Sequence, residues 1–244
     1  MLHTDLGARK LTKTSIDTDG GRTIAIGDIH GHADALRRLI AEIRPRRGDT
    51  IVPLGDYVNR GPDARGVIEA LIELDSSCHL VPVLGNHDEM MLDARFDRYA
   101  LDRFRHAGGQ QTLDSYRPQP SIISAKLSLV PDSHWEFLSR CLAFYETQTC
   151  VFTHACYDPY LAMKDQPSSL LRWTSIDGAV PPPHVSGKLV VVGHTPNRIV
   201  RNYRHLICID TGCGFGGRLT ALEPATGTTW SVEQSGTAQD GDLQ

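Results

Sequence analysis

The sequence predicts an α/β fold built on a largely parallel sheet, with a second sheet formed by its later strands. Three observations carry that prediction: six short apolar, β-branched runs along 244 residues, helical periodicities between the first three runs, and few helical patterns in the second half. A chain of this length can bury a sizeable core as one large domain.

The first three runs are residues 23–26, 50–54 and 80–84. Each is too short for a buried helix and reads as a buried strand. Leu36, Leu39, Ile40 and Ile43 follow the i, i+3, i+4, i+7 spacing of one helix face. Val67, Ile68, Leu71, Ile72 and Leu74 do so more loosely after Pro62, a residue suited to a first helical turn. A third helix is expected from near Asp88 through Met91, Leu92, Phe96 and Tyr99. Strand alternating with helix implies βαβ units. Ser133-His134-Trp135-Glu136 has the form of a capping box, so a further helix is expected to about Leu142. The runs 150–152, 189–192 and 206–209 then supply the second sheet. Residues 1–20 and 231–244 are polar and rich in Gly, Ser, Thr and Asp; they are expected to be loose tails flanking one domain, 21–230.

The net charge of −4 weighs against nucleic acid as the main partner. It leaves a small phosphorylated substrate open, because a bound divalent metal brings positive charge that the count omits. No stretch approaches the roughly 20 apolar residues that span a membrane, and the N-terminus has no signal-peptide core. A cytoplasmic protein is expected, with its six cysteines reduced; none form a CxxC pair, and Cys208–Cys213 is the one disulfide to weigh against that. Oligomeric state is not legible.

The informative residues follow the strands. They are Gly27-Asp28-Ile29-His30-Gly31, Gly55-Asp56-Tyr57-Val58-Asn59-Arg60-Gly61, Gly85-Asn86-His87-Asp88, Thr153-His154 and Gly193-His194-Thr195. In an open α/β sheet, ligands bind at the carboxyl ends of the strands. Asp28, His30, Asp56, His154 and His194 are metal ligands by type, and Asn86 offers a carbonyl oxygen. These six groups exceed the needs of one tetrahedral ion and suit two ions sharing a bridging carboxylate. Such pairs sit about 3.5–4 Å apart and act on in-line displacement at phosphorus. One such motif alone could be a helix N-cap; five in order read as a site.

The spellings GDIHG, GDYVNRG, GNHDEMM, FTHA and GHTP resemble the motif set of the phosphoprotein phosphatase family within the calcineurin-like metallophosphoesterases, and its small bacterial and phage members above all. The likeness runs from about Ile24 to Leu222 and takes in Ala107-Gly108-Gly109, Ile209-Asp210-Thr211-Gly212 and Gly217-Arg218-Leu219-Thr220. It implies two central mixed β-sheets packed face to face and flanked by helices, an α/β/β/α sandwich. It also implies that Asp28 and His30 bind the first metal, Asp56 bridges, and Asn86, His154 and His194 complete the second. The catalytic set would be His87, Asp56 and Asn59, with His87 the general acid, and the phosphate would be held by Arg60, Asn86 and His87. The cofactors implied are two divalent ions; the resemblance tips the choice to Mn²⁺, with Fe or Zn²⁺ as alternatives.

The chain departs from the family pattern at three places. The usual GDxVDRG aspartate is Asn59, which can accept a hydrogen bond from His87 through its amide oxygen but carries no charge. A further phosphate-binding arginine, two residues after Trp173 in small members, is Ser175, and Arg172 lies on the wrong side of Trp173. Asp88 replaces the commoner glutamate. The first expectation is a serine/threonine protein phosphatase using a metal-bridging hydroxide. The alternatives are a symmetrical dinucleoside polyphosphate hydrolase and a non-catalytic metal- or phosphate-binding module. Segment 93–146 is expected to form the cap where substrate is chosen. Its Arg95, Arg98, Arg103, Arg105 and Arg117 favour a polyanion if they face the crevice and are otherwise solvated helix faces.

Overall fold

The structure, a computed structural model, describes residues 20–118 and 126–234. The expected tails fall almost wholly outside them. Ten strands form two five-stranded sheets. In the first, β1 (Thr23–Ile26), β2 (Thr50–Pro53) and β3 (His79–Leu80) are parallel, while β9 (Arg218–Glu223) and β10 (Thr228–Glu233) add antiparallel to the β1 edge. In the second, β5 (Cys150–Thr153), β6 (Leu189–Val192) and β8 (Leu206–Cys208) are parallel, with β4 (Phe144–Glu146) and β7 (Arg201–Asn202) antiparallel at the two edges.

Period-2 alternation places the sheets face to face. Ile24 and Ile26 of β1 point to the helical side, among Leu36, Leu39, Val67 and Leu71 of α1 (Ala33–Ile43) and α2 (Ala64–Leu74), while Ala25 points inward. Val191 of β6 and Ile207 of β8 point into that same inner layer, against Val52, Leu54 and Phe152. Their neighbours Val190, Val192, Leu206 and Cys208 face outward, where Met163 of a 3₁₀ turn (Met163–Asp165) and Leu171 of α7 (Ser168–Trp173) cover them. The sandwich is therefore helix, sheet, sheet, helix, as the motif resemblance implied. Among the described residues no helix is long and apolar enough to cross a membrane, and all six cysteines are free thiols.

Several local expectations fail for identifiable reasons. The third strand is two residues long: Pro53 has no N–H to give the ladder, and although the Val81 and Val83 N–H groups still reach the Ile51 and Pro53 carbonyls at 2.9 Å, Val83 is otherwise held only by an isolated bridge to Leu142. The third helix is two, α3 (Asn86–Ala94) and α4 (Arg98–Phe104). Asp97 breaks it by accepting the Tyr99 N–H at 2.9 Å, the geometry of a new N-cap. Phe96 and Tyr99 consequently lie on the surface. The capping box at Ser133 is not made: α6 (Asp132–Ser139) starts after Pro131 with no side-chain cap and ends before Leu142. Strands β4, β7, β9 and β10 were not expected. β10 carries the domain past the expected boundary at 230 to Glu233, because Val232 pairs with Leu219 and is buried against the helical side.

Phe152 is fully buried between the sheets, stacked on Tyr145 with centroids 6.0 Å apart, two residues before His154. Phe152→Ala is expected to destabilise the fold by about 3–5 kcal/mol and Phe152→Leu by much less, read by urea unfolding. Equal losses would show that this layer does not hold the sheets together.

Candidate active site

Asp28 and His30 follow β1, Asp56 follows β2, Asn86 and His87 open α3, His154 follows β5 and His194 follows β6. Five of the seven non-glycine residues with positive φ among the described residues belong to these loops: His30, Asp56, Asn59, Arg60 and His194. Left-handed backbone in a non-glycine residue is strained, and it survives here because surrounding contacts determine it. The loop after β2 is the best example. Asp88 is fully buried and takes the backbone N–H groups of Asp56, Tyr57 and Gly85 at 2.8, 2.9 and 3.0 Å. Gly85 leaves room for the aspartate: a Cβ there would sit 2.2 Å from Asp56 Oδ1.

Asp56 divides its carboxylate between two groups. Oδ2 lies 3.4 Å from His30 Nε2 and 4.0 Å from His87 Nε2, whereas Oδ1 lies 3.5 Å from His154 Nε2. The second group continues through Asn86 Oδ1, 3.0 Å from His154 Nε2 and 3.1 Å from His194 Nδ1. The tautomers follow from the far side of the rings. His30 Nδ1 donates to the Val58 carbonyl at 3.0 Å, and His154 Nδ1 donates to the Leu54 carbonyl at 2.8 Å. Both Nε2 atoms therefore carry lone pairs directed inward. Backbone carbonyls behind a ligating imidazole are the usual device for this.

Around His154 Nε2, Asn86 Oδ1 and Asp56 Oδ1, acceptor faces acceptor with no proton to lie between them. Buried acceptors in that arrangement require a cation. The wider charge pattern agrees. Asp28, Asp56, Asp88 and Asp210 are all buried, and burial together with Asp210 and Asp56 pushes the Asp28 carboxyl well above the ordinary range. Burial raises Asp210 to about 6. The imidazoles are driven the other way: burial lowers His30 to about 3, and burial with His154 lowers His194 to about 4. Neutral imidazoles are ready to ligate, and carboxyls that hold a proton for want of a counter-charge release it to an arriving cation. The residues fit two divalent ions: His30, Asp56 and His87 converge in one group, and Asp56, His154 and His194, with Asn86 Oδ1 between the two histidines, in the other. Asp28, expected beside His30 at the first ion, belongs to neither group: both of its oxygens take the His194 N–H, at 3.1 Å.

Arg60 reaches into the same space. Its Nη1 contacts His30 Nε2, and its Nη2 lies 3.1 Å from His87 Nε2. The cap holds it there, because the kink at Ala107-Gly108 turns the Gly108 carbonyl to accept the Arg60 N–H at 3.1 Å. Asn59 is oriented by the same segment. Thr112 Oγ1 accepts the Asn59 N–H at 2.7 Å and donates to Asn59 Oδ1 at 3.2 Å. The Asn59 NH₂ then faces the Ala107 carbonyl at 3.3 Å and His87 Nδ1 at 2.7 Å. This reverses the expected polarity: the amide donates to His87 and does not accept from it. His87 Nδ1 accepts from the amide; Arg60 Nη2, also a donor, stands 3.1 Å from Nε2, so the Nε2–H tautomer requires that guanidinium to turn away from the ring.

Arg172 does not take the place of the arginine absent at Ser175. Its guanidinium pairs with Glu89 at 2.7 Å, and Trp173 Nε1 holds the other oxygen of Glu89 at 2.7 Å. Arg95, Arg98, Arg103 and Arg105 are exposed, and Arg117 pairs with Asp114, so the reading of a solvated face fits these arginines. The sequence reading assigned no role to Asp210, Thr112 or Phe215. Asp210 follows a strand as the other site residues do, a signal that could have found it; Thr112 and Phe215 leave no such trace.

The model of the calcineurin-like phosphoesterases matches residues 21–212. Serine/threonine-protein phosphatase 1 of Salmonella typhimurium is 30% identical over 202 residues, covering 80% of this chain and 88% of its own. The symmetrical bis(5'-nucleosyl)-tetraphosphatase of Neisseria gonorrhoeae is 25% identical over 269 aligned positions, covering 87% and 95%. A solved structure described provisionally as a diadenosine tetraphosphatase superposes with a TM-score of 0.69 at 24% identity, over 93% of this chain and 98% of its own, which supports the fold. With the matched region running from the first strand through the last of the strand-end histidines and the Asp210 loop, the chain belongs to the calcineurin-like phosphoesterase family.

Proposed function

We propose that this chain is a metal-dependent phosphohydrolase that transfers a phosphoryl group directly to water. The observation that carries the reading is the pair of donor groups sharing Asp56, with a guanidinium and the His87 ring turned toward them. Bound there, two divalent ions acidify water and neutralise charge on the phosphoryl oxygens. The chain's own residues do the rest. Arg60 offers a planar fork to a tetrahedral anion. His87 presents Nε2–H to protonate the leaving oxygen. Asn59 fixes that tautomer, and the buried walls exclude bulk water. For the substrate, the Salmonella relative supports a serine/threonine phosphoprotein, and the Neisseria relative supports a dinucleoside polyphosphate.

The deciding experiment compares p-nitrophenyl phosphate, a phosphoserine peptide and diadenosine tetraphosphate on Mn²⁺-loaded protein. His87→Asn is expected to lower kcat by roughly 10²–10⁴-fold on the peptide. The loss on p-nitrophenyl phosphate should be much smaller, because that leaving group departs without a proton. Metal binding with no turnover of any substrate would leave a binding module.

Asn59→Asp replaces the amide donor with an anion that accepts Nδ1–H, and so stabilises the imidazolium. Burial lowers the His87 pKa in the present chain, with Arg60 and His194 adding to it against Asp56. The substitution is expected to raise that pKa. An acid must be protonated to act, so the alkaline limb of the pH–rate profile should move to higher pH and kcat should rise. An unmoved limb would uncouple Asn59 from His87.

Metal binding should itself release protons. Asp28 holds its proton above the ordinary carboxylate range, so Mn²⁺ must displace it, and affinity should increase as pH rises above that range. Calorimetry in buffers of different ionisation enthalpy reads the release directly. Asp28→Asn should reduce it, and an unchanged release would place the proton elsewhere.

A further inference from the structure

Phe215 is 62% exposed although it stands at the edge of the buried site, and it is held out by construction. It ends a short 3₁₀ turn, Cys213–Phe215, bracketed by Gly212 and Gly216 in left-handed backbone. Cys213 is fully buried and anchors the turn. Gly214 presses on the site: a Cβ there would lie 2.4 Å from the His30 ring. The Gly212 carbonyl accepts the N–H groups of Phe215 and Gly217 at 2.8 and 2.9 Å. The ring that this turn presents stacks on the phosphate-gripping residue, with the Arg60 guanidinium 4.2 Å from its centroid. Exposure of a single apolar residue is ordinary; what singles Phe215 out is its place against Arg60 at the mouth of the site.

The space beside it has a matching character. A groove of about 640 Å³ runs from Phe215 between the loop at Pro196-Asn197-Arg198 and the segment Thr211–Arg218, a size that accepts a nucleoside. Of its two arginines, Arg218 is spent on Glu233 and Ser231. Arg198 is exposed and has no ion pair among the described residues.

We propose that this groove is a nucleoside subsite, in which a base stacks on Phe215 while Arg198 meets the polyphosphate chain leading to Arg60. The proposal deepens the phosphohydrolase reading and rests on it for placing the scissile phosphate at Arg60. It favours nucleoside polyphosphates over phosphopeptides. Every base presents a flat π-face, whereas a peptide does so only where an aromatic residue neighbours the phosphoserine.

The test is calorimetric and independent of turnover. ADP and pyrophosphate are titrated into the Mn²⁺-loaded full chain and into its Phe215→Ala, Phe215→Trp and Arg198→Ala variants. ADP should bind about tenfold more tightly than pyrophosphate, the scale of one base–aromatic stack. Phe215→Ala should remove most of that difference, and Phe215→Trp should restore it. Arg198→Ala should weaken both ligands. Equal affinities in the parent chain would overturn the subsite, as would a Phe215→Ala variant that weakens both ligands alike, since the ring would then only support Arg60. A phosphoserine peptide that depends on Phe215 where ADP does not would overturn it too. If ADP discriminates as expected but p-nitrophenyl phosphate is not hydrolysed, the catalytic reading fails and the subsite stands.

Discussion

Asp56 is the residue through which the two halves of the molecule meet. It leaves the first sheet at the end of β2, yet one of its oxygens serves His30 on its own sheet and the other serves His154 on the second. A single buried carboxylate shared in this way makes sheet-to-sheet register a condition of function. Were the layers to slide by one residue, the oxygens would meet only one group. The apolar contacts of Val52, Leu54, Phe152, Val191 and Ile207 therefore set the spacing of the chemistry as well as the stability of the fold.

The burial of so much negative charge follows from the same constraint. Asp28, Asp56, Asp88 and Asp210 have been taken out of water with Arg60 and, beside Asp210, Arg201 as nearby cations. Asp88 is satisfied by three backbone N–H groups, which is what holds Asp56 in its left-handed conformation. The others are left for cations to balance. The histidines are matched to that role because carbonyls behind His30 and His154 take the Nδ1 proton and free Nε2. Ligand orientation is thus built from backbone, which side-chain substitution cannot easily disturb.

One segment beyond α4 reaches back to the site. Its kink at Ala107-Gly108 supplies carbonyls to Asn59 and Arg60, and Thr112 completes the Asn59 contacts. His87, through Asn59, and Arg60 are both referenced to this one segment.

Much of the site was legible because its ligands are local to strand ends. Gly27-Asp28, Gly55-Asp56, Gly85-Asn86-His87 and Gly193-His194 each carry their own turn, and a βα turn at a strand's carboxyl end aims its side chains at a shared crevice wherever the sheet lies. The strands with strong β-branched runs were legible for a similar reason: burial on both faces leaves a continuous apolar signature. The sequence by itself therefore determined the ligand types, the strands that carry them and the sandwich their motifs resemble. It could not determine which atom each ligand presents. The polarity of Asn59 depends on Thr112, 53 positions away, the His154 tautomer on Leu54, 100 away, and the Asp28 contacts on His194, 166 away. Strands β9 and β10 likewise emerge only once β1 offers an edge to pair with. Hydrogen-bond direction and edge pairing are properties of groups brought together by packing, and for that reason only the tertiary structure decided them.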